Sequence, residues 1–173
     1  MRVVVVYESM HGSTEQVARA VADELRGRHE VTLVGVDEVD ARQLPAADLL
    51  VVGGPTHAHG MSRQHSRKSA QDQADAVPLT GTSVGVRKLL EDLPMVHGLR
   101  AAAFDTRIDK PELLTGAASH GIGKRLRSRG YDLVTEPESF LVHSKGGHES
   151  LVDGELARAA TWAAELERRV PVG

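Results

Sequence analysis

An unbroken valine run, Val3–Val6, passes through a short turn, Tyr7 to Thr14 (Y-E-S-M-H-G-S-T), straight into an amphipathic segment. An apolar run without alternation marks a strand buried on both faces, the usual state in parallel sheets covered by helices. The segment that follows, Thr14–Arg26, places Val17, Ala18, Val21, Ala22 and Leu25 on one helical stripe and is closed by Gly27. A buried strand, a tight turn and a covering helix open an α/β unit.

The same alternation continues along the chain. Val31–Val36 reads as a second strand, Asp48–Gly53 as a third and Arg100–Phe104 as a fourth. Tyr131–Val134 with Phe140–Val142 reads as a fifth, interrupted near Pro137. Helices fit Val84–Asp92, Ala117–Arg129 and Leu151–Arg169, the last with Leu156, Ala160, Ala163 and Leu166 inward. Right-handed crossovers between such strands give a doubly wound parallel α/β sheet. The 173 residues suit one domain, 1–173, with no internal repeat or dividing linker. Met61 to Ala76 breaks the pattern, being polar and almost without large apolar residues. It opens an excursion over about 61–83 that reads as mobile or as an exposed helix beside the end of the third strand. That position allows a lid, a partner surface or a solvated insertion.

Charge and composition narrow the function classes. The net charge is −3 with acids and bases interspersed, the opposite of the one-sided basic excess of a nucleic-acid binder. Cysteine is absent, which removes disulfides, thiolate metal sites and cysteine redox chemistry. The leading valine run is too short for a signal-peptide core, and no stretch reaches the length of a membrane span. A cytoplasmic protein with neither nucleic-acid nor membrane partners is expected.

The turn itself has the makings of an anion cradle. Backbone N–H groups at a helix start are unpaired and lie at the positive end of the helix dipole. Ser9, Ser13 and Thr14 add hydroxyl donors, and Gly12 lets the backbone curl closely around a small ligand. No basic residue lies within the turn, which separates it from the lysine-bearing triphosphate loop and points to a single phosphate group. The plainer alternative is a Ser/Thr helix cap without a ligand.

Ser9, Met10, His11, Gly12, Ser13 and Thr14 together resemble the [ST]-x-T-G-x-T phosphate loop of flavodoxins, with His11 where that family most often has threonine. The resemblance implies a five-stranded parallel sheet in the order 2-1-3-4-5, with Thr14–Arg26 and Leu151–Arg169 on one face. It implies FMN as cofactor, its phosphate in this loop. The ring would lie between the loops after the third and fourth strands, here Pro55, Thr56, His57, Ala58 and His59, and Asp105, Thr106 and Arg107. Neither loop holds any of the chain's few aromatic residues, so His57 or His59, with Met10 and Met61, would cover the ring. Arg107 beside a flavin would favour its reduced form and raise the potential, with Asp105 opposing. The alternative role for Arg107 is an ion pair with Asp105 or Asp109.

Other motifs carry less. His57, His59, His65 and His11 gather imidazoles without a carboxylate, and no metal site is expected. His143 and His148, around K-G-G, read as turn residues. Gly121-Ile122-Gly123-Lys124 lies within a helical pattern, with Ala118 and Arg125 where a triphosphate loop needs Gly and Ser or Thr. With no cysteine and no Gly-x-Ser-x-Gly elbow, the polar groups are of the kind that hold a ligand, and no catalytic side chain is expected. Any chemistry would then be the cofactor's. The expected function is that of an FMN-binding electron-transfer protein passing electrons between a reductase and an acceptor protein. The alternatives are a small FMN-dependent oxidoreductase acting on a quinone or porphyrin-type substrate, and a flavodoxin-fold binding module that has lost FMN.

Overall fold

The valine run is a strand, β1 (Arg2–Tyr7), and its continuous hydrophobicity has a structural cause. Val3 and Val5 enter one apolar cluster, and Val6 enters another on the opposite face of the sheet. Both faces are covered, so no position from Val3 to Val6 is free to be polar.

The computed structural model describes residues 1–57, 60–61, 85–146 and 148–170, with the backbone only at 57, 60 and 61. Residues 62–84, which make up nearly all of the polar excursion, lie outside the described residues, as do Ala58 and His59. After β1 come α1 (Ser13–Arg26), β2 (Glu30–Gly35), a 3-10 turn (Ala41–Ala46), β3 (Leu49–His57) and β4 (Gly60–Met61). There follow α2 (Val86–Asp92), β5 (Leu99–Ile108), α3 (Glu112–Thr115), α4 (Ala118–Ser128), β6 (Tyr131–Leu133), β7 (Glu138–Lys145), β8 (His148–Leu151) and α5 (Glu155–Arg169).

Among the described residues the sheet runs β2-β1-β3-β5-β7-β8. The first five are parallel, which is the 2-1-3-4-5 order implied by the resemblance. β1 lies in the interior of the sheet, with β2 and β3 on its two sides. The interrupted fifth strand is one lane in two pieces, β6 pairing with the start of β5 and β7 with its end. The break falls at residues 134–137, around Pro137, which has no N–H to give to a ladder.

Three sequence expectations need correction. β8 is a sixth strand, antiparallel to β7, with Val142 opposite Leu151 and Lys145 opposite His148. His143 and His148, expected as turn residues, are therefore strand residues, on β7 and β8. The last helix starts at Glu155, behind Gly154, so Leu151 belongs to β8. With that start Ala159, Trp162, Ala163 and Leu166 face inward, while Leu156, expected inward, is exposed. β3 and β5 also run past their expected ends at Gly53 and Phe104, carrying Pro55, Thr56, Asp105, Thr106 and Arg107 as strand residues.

Pro55 is tolerated inside β3 because of its register. Gly53 presents its carbonyl to Glu8 N on the β1 side, and two residues on Pro55 faces the same way, beyond the last β1 partner. The missing N–H costs no ladder bond.

α1 and α5 cover one face of the sheet, packed on Val3, Val5, Leu49, Val51, Phe104 and Phe140. Phe104, Phe140 and Trp162 meet edge-to-face with ring centroids 6.0 Å apart. α2, α4 and the 3-10 turn cover the other face, around Leu50, Val52, Ala101, Ala103 and Ile122. The resulting three-layer sandwich leaves the carboxyl ends of β1, β3 and β5 at one edge, where open α/β sheets take their ligands.

Candidate functional site

At that edge the turn between β1 and α1 has the geometry of an anion cradle. Gly12, the residue before the first helical turn, has φ +87°, a left-handed conformation that favours glycine. This aims the first helical N–H groups into the loop. Gln16 N closes the first helical bond on Gly12 O, and no side chain caps the helix from Gly12. Ser9 Oγ fills part of the concavity, accepting from Gly12 N (3.1 Å) and Glu15 N (3.3 Å). The N–H groups of Ser13 and Thr14 have no acceptor among the described residues. Ser13 Oγ is buried and likewise without a partner.

Buried unpaired donors are costly, at about 1–3 kcal/mol each. A loop that keeps three of them together is fitted to a ligand with several acceptor oxygens. No cation lies in the loop, so the donors are neutral. Met10 is buried beneath the turn and His11 is exposed on it.

Thr14 contributes differently from the expectation. Its hydroxyl is buried and lies 2.7 Å from the Thr106 hydroxyl on β5, so the β1–α1 loop and the end of β5 are joined directly. Glu8 was not singled out in the sequence. It is fully buried, and its carboxylate accepts from Val86 N (2.8 Å) at the start of α2. The partner is 78 positions away, and nothing local to the chain signals it.

The second and third segments meet each other at a buried carboxylate. Asp105 Oδ2 accepts from Thr56 Oγ1 (2.9 Å) and from Ser119 N (2.8 Å), while Thr56 Oγ1 accepts from Ala118 N (2.8 Å). Thr56 and Asp105 thereby cap the first turn of α4, whose own preceding residue, Ala117, offers no side-chain cap. Burial pushes the Asp105 carboxyl above its ordinary range, outweighing the groups of Ser119, Ser139 and Thr56 that favour the charged form. Asp105 and Thr56 therefore direct their side chains at α4, and they have backbone and position to offer a ligand.

Arg107 donates to the Lys110 carbonyl (2.7 Å), and no ion pair joins it to Asp105 or Asp109 among the described residues. Pro55 pairs with Thr106 in the β3–β5 ladder. β3 then turns back on β4, with Thr56 opposite Met61 and His57 opposite Gly60. Ser9 to Thr14, Pro55, Thr56 and Asp105 to Arg107 thus share one edge of the sheet. Ala58 and His59 lie outside the described residues.

All five aromatic residues of the chain, Tyr7, Phe104, Tyr131, Phe140 and Trp162, are buried in the body of the fold. None is free to stack on a ligand at this edge. The segment leaving β5 instead exposes aliphatic side chains, Leu113 at 93% and Leu114 at 62%, beside half-exposed Ile108.

A doubly wound parallel sheet with unpaired helix-start N–H groups beside its first strand defines the class of open α/β proteins, whose carboxyl edge is the usual place for a ligand. A family model for flavodoxins matches residues 5–91, and the chain belongs to the flavodoxin family. That family and this fold support a flavin-binding, electron-transferring role.

Solved structures agree on the fold. Oxidised Flavodoxin 1 from Bacillus cereus superposes with TM-score 0.70 at 19% identity, over 99% of this chain and 100% of that one. The Streptococcus pneumonia TIGR4 flavodoxin gives TM-score 0.70 at 21% identity, over 98% and 100%. A flavodoxin from the domain Archaea gives 0.67 at 20% identity, over 98% and 99%. No curated protein matches the chain in sequence. No helix among the described residues is long and apolar enough to cross a membrane.

Proposed function

We propose that the chain binds FMN and works as an electron carrier of flavodoxin type. The carrying observation is the β1–α1 loop, where Ser13 Oγ is a buried orphan and the Ser13 and Thr14 N–H groups are unspent around a left-handed Gly12. Those groups, with Ser9 Oγ, would hold the FMN phosphate. The ends of β3 (Pro55, Thr56 and His57, with Ala58 and His59 beyond) and of β5 (Asp105 to Arg107) would flank the ring. Bound there, FMN supplies one- and two-electron redox chemistry. The protein's part is to orient the ring through rigid strand ends and to keep water from it.

A carrier is favoured over an enzyme by the disposition of the titratable groups. Asp105 and Glu8 each give a carboxylate oxygen to a helix start, so both serve to hold the strand ends in place at this edge. The partners would be a reductase and an acceptor protein in the cytoplasm. Aliphatic side chains after β5 and the imidazole of His57 or His59 would cover the ring in place of aromatic ones. An aromatic pair contributes about 0.5–1.5 kcal/mol beyond area, so the loss on two faces weakens FMN binding by about five- to 150-fold relative to a stacked site.

Titration of the purified protein with FMN, followed by visible absorption and by Trp162 fluorescence, tests this reading. Saturable binding of one FMN per chain, with a perturbed flavin spectrum and quenched tryptophan emission, is the expected result. An unaltered spectrum at millimolar FMN would leave the chain a flavodoxin-fold module without its cofactor. Steady NAD(P)H consumption by the loaded protein alone would make it a reductase.

A further inference from the structure

The Thr14–Thr106 contact has a chemical consequence for the phosphate loop. Two hydroxyls 2.7 Å apart hold two hydrogens, of which one lies between them. Both side chains are buried, so bulk water does not compete for the pair. If Thr14 donates to Thr106, the loop loses a hydroxyl donor. If Thr106 donates to Thr14, the Thr14 hydrogen is released, and its oxygen is polarised by the bond it receives.

The two threonines are unequally anchored. Thr14 stands in the first turn of α1, next to the unpaired Ser13 hydroxyl and the free N–H groups. Thr106 stands on β5 with ladder partners on both sides, Pro55 and Phe140, so the sheet fixes its position independently of the loop.

We propose that Thr106 is a positioning residue for the FMN phosphate, acting through Thr14: its hydroxyl donates to Thr14 Oγ1 and turns the Thr14 hydrogen toward the anion. The inference rests on the FMN reading and adds to it a residue on a different strand, 92 positions away, that belongs energetically to the phosphate subsite. Thr106 flanks the ring through its backbone alone, which Thr106→Val leaves in place, while its hydroxyl is spent on Thr14 and on neither ring nor phosphate. It sets the direction of one hydrogen bond.

The test compares FMN with riboflavin, which carries the same ring and no phosphate. Thr106→Val keeps the β-branched shape and removes only the hydroxyl. It is expected to raise the Kd for FMN by about five- to tenfold and to leave that for riboflavin within twofold. Thr106→Ser restores the wild-type ratio. In a Thr14→Val background, Thr106→Val has no further effect on FMN, because its only route is already gone. Equal weakening of both flavins would make Thr106 merely structural, and additive effects of the two substitutions would remove the route through Thr14. Either outcome overturns the proposal, as does an unchanged FMN to riboflavin ratio. A wild-type chain that binds neither flavin is a different result, since it overturns the FMN reading and the relay with it.

Discussion

Gly12→Val is expected to abolish FMN binding at micromolar flavin while costing the fold no more than Gly154→Val does. The two glycines form a matched pair. Each precedes the first turn of a helix packed on the same face of the sheet, α1 and α5, with φ of +87° and +88°. At neither position would a Cβ meet any atom within 4 Å. Steric crowding is thus equal and absent, and what remains is the left-handed backbone, worth about 1–2 kcal/mol for a residue with a Cβ.

The two sites differ in what the backbone does next. A valine at 12 relieves its strain by rotating φ, which swings the Ser13 and Thr14 N–H groups away from their common focus. At 154 the same rotation disturbs only a helix entry. Denaturant unfolding should therefore show similar losses for the two variants. Flavin titration should show at least a hundredfold loss for Gly12→Val and little change for Gly154→Val. Gly12→Asn, which tolerates the left-handed region, should retain part of the binding. Equal FMN affinity in the two valine variants would reduce the loop to a structural turn.

Much of this arrangement was legible in the residues because it rests on local physics. The valine run, the helical stripe of α1 and the loop between them are contiguous, and each is required by burial or by helix-end geometry. The split fifth lane was readable for the same reason, as Pro137 stands between two apolar runs. What was missed depends on partners distant in sequence. Gly53-Gly54-Pro55 looks like a strand terminator until β1 is known to end beside it. Phe104 also fills the space over Gly53, where an added Cβ would lie 2.0 Å from its ring, so that glycine belongs to a packed strand.

Asp105-Thr106-Arg107 looks like a polar loop until its partners are known, which are α4 on one face of the sheet and Thr14 on the other. The short strand β8 carries a single large apolar residue, Leu151, and alternation over so few positions cannot be told from a turn. At the site, residue positions were readable, and side-chain destinations were not. Thr14, Thr56, Asp105 and Thr106 lie at the expected edge, with their side chains directed at one another and at α4.

The buried carboxylate among those side chains should make itself felt in stability. Asp105→Ala is expected to lower the unfolding free energy by about 3 kcal/mol, since it leaves Thr56 Oγ1–H and Ser119 N without their acceptor in a site closed to water. Asp105→Asn should behave oppositely at neutral pH. Its amide oxygen can accept both bonds, and its nitrogen takes the place of Oδ1, beside the Ser119 and Ser139 hydroxyls, which can accept from it. The desolvated charge is removed as well.

The sign of the pH effect follows from the raised carboxyl. Folded Asp105 keeps its proton to higher pH than the unfolded chain does. Its contribution is therefore full below about 3.9, the unfolded value, and is lost as pH rises toward the folded one, with a slope of at most about 1.4 kcal/mol per pH unit. Subtracting Asp105→Asn from wild type cancels the other titrating groups. The difference in urea midpoints should move in favour of the asparagine variant from about pH 4 upward and then level off. A difference that stays flat from pH 4 to 8 would mean that the folded carboxyl titrates at its ordinary value and that its helix-capping bonds fully compensate its burial. If the movement is seen, the ends of β3 and β5 are held to α4 by a carboxyl that folding prefers uncharged. The edge assigned to the flavin ring would then be rigid without placing a compulsory negative charge beneath it.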